Sequence, residues 1–370
     1  MADPFKDRFD AALVERYVEQ LRGPGFAAEG FRDAVGALDA LSLKARVARI
    51  ADALQVGLPP SFPAAVEVLT PRLPPPLVGT EDVASTFEWW ALCTFVERHG
   101  TQHPDVALPF LRRLTQTFSA EFAIRPFLAT DPEGTLATLR AWLDDPDVHV
   151  RRWISEGTRP RLPWGQRLPA FVDNPDHTLP LLEALRNDPE PYVRRSVANH
   201  LGDIAKDHPE RAVDVGTRWA NGGPVPARGG TDAERLVRHG LRHLVKQGHS
   251  GALAMMGFGA PTVEAELHVT NEVRLGDVLE VELTLTNPTD HPQDLLVDLG
   301  VRFRGAKGSL RRPKVFKWTT LHLEAGHTVT CRRKQRLVDV TTRTHHDGQQ
   351  EAVAQVNGHA VARASFHLST

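Results

Sequence analysis

The fold of this chain is decided by two related stretches, DPDVHVRRWISEG (145–157) and DPEPYVRRSVANHLG (188–202). Each begins with an Asp-Pro turn and continues into a Val-Arg-Arg triplet, and the triplet at 150–152 recurs 43 residues later, at 193–195. A looser copy, Val-Arg-His, follows at 237–239 after a further 44 residues. A helical unit that repeats about every 40–47 residues is typical of HEAT-type repeats, which stack into a curved solenoid with a concave binding face.

The pattern changes after Gly-Ala-Pro at 259–261. Downstream, apolar and polar residues alternate with a period of two between turn residues, which predicts β-strands. The predicted strands are 263–269, 279–287, 295–303, 319–326, 327–337 and 359–368. About seven short strands in about 110 residues favour an immunoglobulin-like sandwich. We therefore predict a mostly α-helical fold, with a HEAT-like helical-repeat solenoid over 1–257 and a C-terminal all-β immunoglobulin-like sandwich over 262–370.

The composition of the 370-residue chain is that of a globular protein, with 41% hydrophobic and 24% charged residues and a formal net charge of -2. Its two cysteines, Cys93 and Cys331, are too few for a disulfide framework or a thiolate-rich metal site. No stretch approaches the roughly 20 apolar residues that a membrane span needs, and the charged first residues contain no apolar core of a signal peptide. We therefore expect a cytoplasmic protein without a membrane anchor.

Charge is divided within the β-rich tail. Residues 262–300 are largely acidic and residues 302–336 largely basic, with Arg311, Arg312 and Lys314 in the basic segment. Two interpretations remain open: a solvated loop with an exposed strand face, or a surface that binds nucleic-acid phosphates through clustered cations. On the second interpretation the division also predicts a polarised domain that orients on DNA.

Polar residues on the repeat helices predict a ladder along one wall of the solenoid. Residues four apart share a helix face. Arg152 and Glu156 form such a pair, and one repeat later Arg195 shares a face with Asn199, with Asp203 one turn further on. Because neighbouring repeats place equivalent positions side by side, we expect these side chains to lie close together.

The ladder has two further members in the sequence. His239 and His243 occupy the equivalent positions of the third copy, and Glu121 and Arg125 form a similar pair earlier in the chain. Pairs of this kind also occur as solvated outer faces of helices, and that alternative remains open. The use of the same helix face in successive repeats favours a functional wall.

Aromatic residues and missing motifs narrow the chemistry. Trp164 lies between prolines and a glycine in RPRLPWGQRLP (159–169), whereas Trp153 occupies an apolar helical position and is predicted to be core. The chain has no phosphate-binding loop, no HExxH and no CxxC, and His345-His346-Asp347 lacks further metal-ligand spacing. The sequence therefore predicts neither a cofactor nor a metal.

Three stretches carry a family resemblance: FSAEFAIRPFL (118–128), DPDVHVRRWISEGTRPRLPW (145–164) and DPEPYVRRSVANHLGDIAKDHP (188–209). They resemble the AlkC branch of the AlkC/AlkD DNA alkylation-repair glycosylases, and the resemblance covers residues 80–260. The β-rich tail fits as well, because AlkC-like bacterial proteins can carry an immunoglobulin-like domain after the repeats. The resemblance implies excision of 3-methyladenine and 3-methylcytosine from DNA, which starts base-excision repair.

The resemblance also implies roles for individual residues. The family's catalytic carboxylates fall by motif on Glu121, Glu156 and Asp203, and its active-site aromatic falls on Trp164. Cations are expected to hold the phosphates of alkylated double-stranded DNA, namely Arg152, Arg195 and Lys206, assisted by Arg311, Arg312 and Lys314 of the tail. We expect a monomer, the default for a solenoid that wraps duplex DNA. The alternative is a HEAT-repeat scaffold that binds DNA or a protein partner without catalysis.

Overall fold

The computed structural model describes residues 5–81, 83–223, 225–226, 229–339 and 344–370. The chain divides into two compact units, Met1–Asp207 and His208–Thr370. The first unit is built from α-helices with short 3-10 turns between some of them. Its α-helices are α1 (Ala11–Leu21), α2 (Ala28–Val35), α3 (Leu43–Gly57), α4 (Phe62–Leu69), α5 (Trp90–His99), α6 (Pro104–Leu114), α7 (Arg125–Thr130), α8 (Pro132–Arg140), α9 (Val148–Gly157), α10 (Pro169–Asp173), α11 (Leu179–Leu185) and α12 (Pro191–Asp207).

The repeated Asp-Pro and Arg-Arg elements explain how α9 and α12 begin. The carboxylates of Asp145 and Asp188 each accept a hydrogen bond from the backbone N–H two residues on, at 2.8 Å and 2.9 Å. The first arginine of each triplet folds back onto the carbonyl oxygens of its own Asp-Pro turn, Arg151 onto residues 145 and 146 and Arg194 onto residues 188 and 189. Each helix start is thus closed by its own aspartate and arginine.

The same residues link successive repeats. Arg112 of α6 pairs with Asp145, and Arg151 Nε lies 2.6 Å from Asp188 Oδ2. Both aspartate side chains are nearly fully buried, and a buried carboxylate needs such a partner. The first arginine of each triplet is therefore structural, which leaves the second, Arg152 or Arg195, for the polar wall.

The core around α9 follows the helical period. Helix α9 packs against α11 and α12, and its apolar residues Val150, Trp153 and Ile154 are buried there. Trp153 stacks on Trp142 with the ring centroids 6.0 Å apart, which confirms its predicted place in the core. The predicted HEAT-like helical-repeat fold is confirmed.

The second unit begins with three helices and continues into β-strands. The helix Asp232–Gln247 (α14) starts with a capping box between Thr231 and Glu234 and is capped at its C-terminus by Gly248, whose φ of 79° is in the left-handed region that glycine adopts freely. The last helix ends at Met255 and the first strand begins at Glu264, on either side of the predicted change at 259–261. The elements are α13 (Pro209–Trp219), α14 (Asp232–Gln247), α15 (Ser250–Met255), β1 (Glu264–Val269), β2 (Glu272–Arg274), β3 (Val278–Thr286), β4 (Gln293–Arg302), β5 (Lys314–Leu323), β6 (Thr328–Arg336), β7 (Gly348–Val356) and β8 (His359–Ser369).

The strands form two sheets that enclose one apolar core. One sheet has the strand order β1-β3-β6 and the other β2-β8-β7-β4-β5, with antiparallel pairing except between β2 and β8. Alternate residues of β3 and β4 point inward, including Leu279, Leu283, Leu295 and Leu299, each fully buried. The predicted immunoglobulin-like sandwich is confirmed. The strand predictions missed β2 and β7, and β5 begins at Lys314, ahead of the predicted 319.

The predicted charge polarity of the tail does not hold for strands β3 and β6. The acidic strand β3 and the basic strand β6 are antiparallel neighbours, in a register that places Glu280 opposite Lys334 and Glu282 opposite Arg332. The charges pair across the strands, with Lys334 Nζ 3.1 Å from Glu280 Oε1 and Arg332 Nε 2.6 Å from Glu282 Oε2. On these two strands, charges separated along the sequence are therefore mixed, because strand pairing brings them together.

Two observations bear on the expectations from composition. Among the described residues, no helix combines the length and the apolar character that crossing a membrane requires. Both cysteines are free thiols, with Cys93 buried on α5 and Cys331 half-buried on β6.

Candidate active site

Glu156 and Asp203 come together in the first unit, where α9 and α12 pack. Glu156 is in the last turn of α9 and is 5% exposed, and Asp203 lies on α12 and is 1% exposed. Arg159, two residues beyond α9, bridges them: its Nη1 is 2.6 Å from Glu156 Oε1 and its Nε is 2.8 Å from Asp203 Oδ2. One guanidinium thus holds two buried carboxylates that would otherwise repel each other.

Further groups fix the Glu156 carboxylate. Ser196 Oγ donates to Glu156 Oε2 at 2.6 Å, and Ser155 Oγ lies 2.6 Å from Ser196 Oγ. Burial raises the pKa of the Glu156 carboxyl, but the charges of Arg152 and Arg159 and the Ser196 hydroxyl outweigh it and hold the pKa below its usual value. Glu156 is therefore ionised at neutral pH.

Glu121 joins the cluster through Arg152. Arg152 Nη1 is 2.5 Å from Glu121 Oε2 and 2.7 Å from Ser119 Oγ, and its Nη2 is 3.6 Å from Glu156 Oε1. The guanidinium also lies over the ring of Tyr192, 5.3 Å from its centroid. Arg152 and Arg159 therefore connect all three predicted carboxylates into one network, which we call the carboxylate cluster (Glu121, Glu156 and Asp203).

The predicted pairing of Glu121 with Arg125 is wrong. Residues 121–124 form turns and α7 begins only at Arg125, so the two side chains do not share a helix face. The fully buried Arg125 side chain instead donates to the carbonyl oxygens of residues 157 and 159, at 2.8 Å and 2.9 Å, and to that of residue 166. It ties down both ends of the loop 158–168, and its Nη2 has no hydrogen-bond partner among the described residues.

Trp164 stands at the outer end of that loop and is 68% exposed. Its φ of 66° lies in the left-handed region, which is rare for a bulky residue. Lys44 Nζ donates to the Trp164 carbonyl oxygen at 3.2 Å. The next residue is Gly165, where a Cβ would come within 3.2 Å of Arg125 Cδ. An exposed indole on a strained, tightly held turn is suited to contact a ligand.

The polar residues predicted on α12 lie in different environments. Lys206 Nζ pairs with Asp203 Oδ1 at 2.8 Å, and its side chain is 43% exposed. Arg195 is exposed, whereas its repeat equivalent Arg152 has a largely buried side chain. The two second arginines therefore have different environments, and Lys206 and Arg195 are the more accessible cations of the site.

The remaining predicted residues lie in the second unit. His239 and His243 are on α14, and their place in the ladder stays a prediction. Arg311 and Arg312 are exposed on the connection between β4 and β5, and Lys314 is the exposed first residue of β5. Within the part of the chain that the structure describes, none of these last three cations forms an ion pair, in contrast to the paired cations of β6.

Three residues of the site were not predicted from the sequence: Arg159, Ser196 and Tyr192. A signal for Arg159 was present, since it follows Glu156 by three residues and opens the Pro-rich loop that carries Trp164. Ser196 and Tyr192 lie beside the second Arg-Arg pair, where short polar and aromatic residues give no sign of what they contact.

The cluster has a definite chemical capacity. Fixed carboxylates in a site of low dielectric stabilise positive charge that develops beside them, without reorganising during the reaction. An exposed indole nearby can lie against a cationic group. Among the described residues, no group of three or more His, Cys, Asp or Glu side chains is placed to hold a metal ion.

The fold and the site define a class, a HEAT-like repeat protein with a C-terminal immunoglobulin-like domain. The HEAT-repeat model matches residues 179–208, and the model described as the C-terminal Ig-like domain of the uncharacterised protein YhaZ matches residues 263–370. YhaZ of Bacillus subtilis (strain 168) is 32% identical over 376 aligned residues that cover 100% of both chains. The structure of the Pseudomonas fluorescens alkylpurine DNA glycosylase AlkC, bound to DNA containing an abasic-site analogue, is 34% identical, covers 99% of each chain and superposes with a TM-score of 0.86. The chain belongs to the AlkC family, which confirms the resemblance of its repeats.

Proposed function

We propose that this protein is a DNA N-glycosylase of base-excision repair that hydrolyses the glycosidic bond of cationic alkylated bases, such as 3-methyladenine and 3-methylcytosine, in double-stranded DNA. The observation that carries the proposal is the buried bridge Glu156–Arg159–Asp203. The loop that contains Arg159 also carries the exposed Trp164. Membership of the family that includes the DNA-bound AlkC supports it. We expect it to act as a cytoplasmic monomer, without a metal or a cofactor.

The reaction needs no general acid to protonate the leaving base. A base alkylated at N3 carries a positive charge and leaves as a neutral heterocycle, so its departure requires no protonation. When the C1′–N bond breaks, both electrons go to the base and the deoxyribose acquires oxocarbenium-like charge, as in other glycosidic cleavages. Water then adds to C1′ and gives its proton to a carboxylate. The residues therefore have to stabilise a sugar cation and orient one water.

The carboxylate cluster suits these two tasks. Because its pKa is held low, Glu156 remains an anion and suits the electrostatic role. Asp203 suits the water, since the partner of its Oδ1 among the described residues is the half-exposed Lys206, which a phosphate of bound DNA can attract. Glu121 assists by holding Arg152, whose guanidinium reaches both Glu121 and Glu156.

Trp164 gives a physical reason for selecting charged lesions. A desolvated cation–π contact is worth about 2 kcal/mol, and a neutral base does not gain it. The exposed indole can lie against the alkylated base or the adjoining sugar without rearranging a packed core. Arg195 and Lys206, and in the second unit Arg311, Arg312 and Lys314, would hold phosphates and contribute no base specificity.

The proposal is tested by release of free base from methylated genomic DNA under single-turnover conditions, with Asp203→Asn as the main variant. Loss of one preorganised charge should lower the rate by at least about 10²-fold, while affinity for unmodified duplex changes little. Asp207→Asn is the matched control, because Asp207 lies one helical turn further along α12 and pairs with Arg161.

The outcomes separate the candidate functions. Release that is lost in Asp203→Asn and retained in Asp207→Asn supports the glycosylase and this assignment of the site. Release that is unaffected by Asp203→Asn contradicts the role of Asp203. Duplex binding without any release favours the non-catalytic DNA-binding scaffold, and absence of both directs attention to protein partners.

A further inference from the structure

A short loop with an apolar tip contacts two of the segments that carry the carboxylate cluster. The segment 73–81, LPPPLVGTE, precedes the 3-10 helix Val83–Trp89, and Val78 at its tip is 104% exposed. From residue 73 to residue 80 the loop carries no charged side chain. A fully hydrated apolar side chain gains most from burial, and this one can be buried together with its neighbours without burying a charge.

The loop is stiff and anchored on both sides. Three consecutive prolines, 74–76, restrict its backbone, so little conformational freedom is lost when it binds. Leu77 N–H donates to the Gln116 carbonyl oxygen at 2.9 Å, and the buried Thr117 hydroxyl lies 3.1 Å from the Pro74 carbonyl oxygen. These anchors belong to the segment that runs directly into Ser119 and Glu121 of the site.

The other anchor is on the helix that carries the cluster. His149 Nε2 lies 3.1 Å from the carbonyl oxygen of Gly79, the residue after the tip. His149, Arg152 and Glu156 are spaced i, i+3 and i+7, so they lie on one face of α9. The loop therefore meets α9 at the first turn of this face, while Trp164 is on the loop that leaves its last turn. The ten residues of α9 span roughly 15 Å, which is about four base steps of a duplex.

We propose that Val78 is a wedge that enters the base stack of the DNA within about four base pairs of the lesion, unstacks one step and so exposes the alkylated nucleotide to the carboxylate cluster. The inference rests on the proposed function and adds the residue that deforms the substrate. A base step is the occupant that fits, because it is apolar, lies beside the bound lesion and accepts an uncharged tip, and apolar wedges are a known means of kinking DNA.

The experiment uses the full chain and a duplex that carries an abasic-site analogue, with 2-aminopurine placed at successive positions up to four base pairs away. Unstacking by the wild-type protein should raise 2-aminopurine fluorescence at one position, and Val78→Ser should abolish that rise. The same variant should lower single-turnover base release from methylated DNA about tenfold, equivalent to about 1.4 kcal/mol of lost transition-state stabilisation. Val78→Leu, which keeps an apolar tip, should retain both signals.

The control is Val56→Ser, because Val56 is likewise an exposed valine, at 58%, lies near the end of α3 and is not one of the residues assigned to the site. It should match the wild type in both assays. If Val78→Ser releases base at the wild-type rate, or loses rate with its fluorescence signal intact, the wedge is refuted. If the wild type unstacks DNA in a Val78-dependent way but releases no base, the proposed function fails and the wedge stands.

Discussion

Replacing Arg159 by methionine would test how the carboxylate cluster is held. Arg159 is 8% exposed and contacts Glu156 and Asp203, so its loss leaves two buried carboxylates facing each other without a shared counter-ion. Breaking a buried ion pair by removing one partner costs about 3–5 kcal/mol. For a unit of about 200 residues that corresponds to a fall in Tm of roughly 6–20 °C.

The assay is thermal and urea unfolding of Arg159→Met beside Arg161→Met. Arg161 lies two residues further along the same loop and pairs with Asp207 at 2.5 Å, but those side chains are 27% and 20% exposed. A partly exposed pair with a single carboxylate is weaker than a buried bridge, at about 1 kcal/mol, so Arg161→Met should lower Tm by no more than a few degrees. Both variants change an arginine to methionine, and the two arginines differ in the burial and the number of their partners.

The pH dependence supplies a second readout with a definite sign. Without Arg159, the pKa of Glu156 in the folded state rises above its wild-type value, because burial raises it and of the opposing groups only Arg152 and Ser196 remain. A raised carboxyl pKa destabilises the folded state at high pH, and the loss shrinks as pH falls and the group takes up a proton. The deficit of Arg159→Met relative to wild type should therefore be larger at pH 8 than at pH 5. Equal losses for both arginine variants, or a deficit that does not change with pH, would refute the bridge as the basis of the site.

Three further predictions follow from the same geometry. A lysine at position 125 cannot reach three carbonyl oxygens at once, so Arg125→Lys should loosen the loop 158–168 and slow base release. Its effect should be non-additive with that of Trp164→Ala in a double-mutant cycle. Additive effects would show that the two residues do not act through the same loop. Burial lowers the pKa of His200 to about 4, so below about pH 6.5 the unfolded state binds more protons than the folded state. This group alone should therefore remove about 2 kcal/mol of stability between pH 7 and pH 5. Urea unfolding of His200→Gln should lack that loss. Arg311→Ala combined with Arg312→Ala should lower the slope of log affinity for duplex against log salt by about 2, whereas neutralising the paired cations of β6 should leave it unchanged.

Much of the architecture was predictable because it is local or periodic. The 43-residue step identified α9 and α12, and period-2 alternation identified most strands. Strand β7, by contrast, was missed because GQQEAVAQV is rich in Ala and Gln, which have weak strand preference. It is a strand because β4 and β8 pair with it on both sides, and that pairing lies outside any local window.

The site was predictable in its carboxylates and less so in its cations. The family resemblance placed Glu156 and Asp203, but the residue that joins them, Arg159, lies in an irregular loop. The position of the Arg159 side chain depends on Arg125, which is more than 30 residues away in sequence. Arg125 holds the loop by donating to the carbonyl oxygens of residues 157 and 159. Helical spacing paired Arg125 with Glu121 instead, because it assumed that the helix already includes Glu121. In the structure α7 begins one turn later, at Arg125.

Burial of this cluster is itself an argument for chemistry. A buried network of ions is often no more stable than well-packed apolar side chains of similar volume, so stability alone gives little reason to keep one. The triple variant Glu156→Met, Arg159→Met and Asp203→Leu should therefore recover most of the stability that Arg159→Met loses, while releasing no base from methylated DNA. If the triple variant were as unstable as Arg159→Met, the ions would be needed for the fold, and their burial would no longer favour catalysis over a scaffold. Recovery of stability without activity would mean that these charges are kept for the reaction.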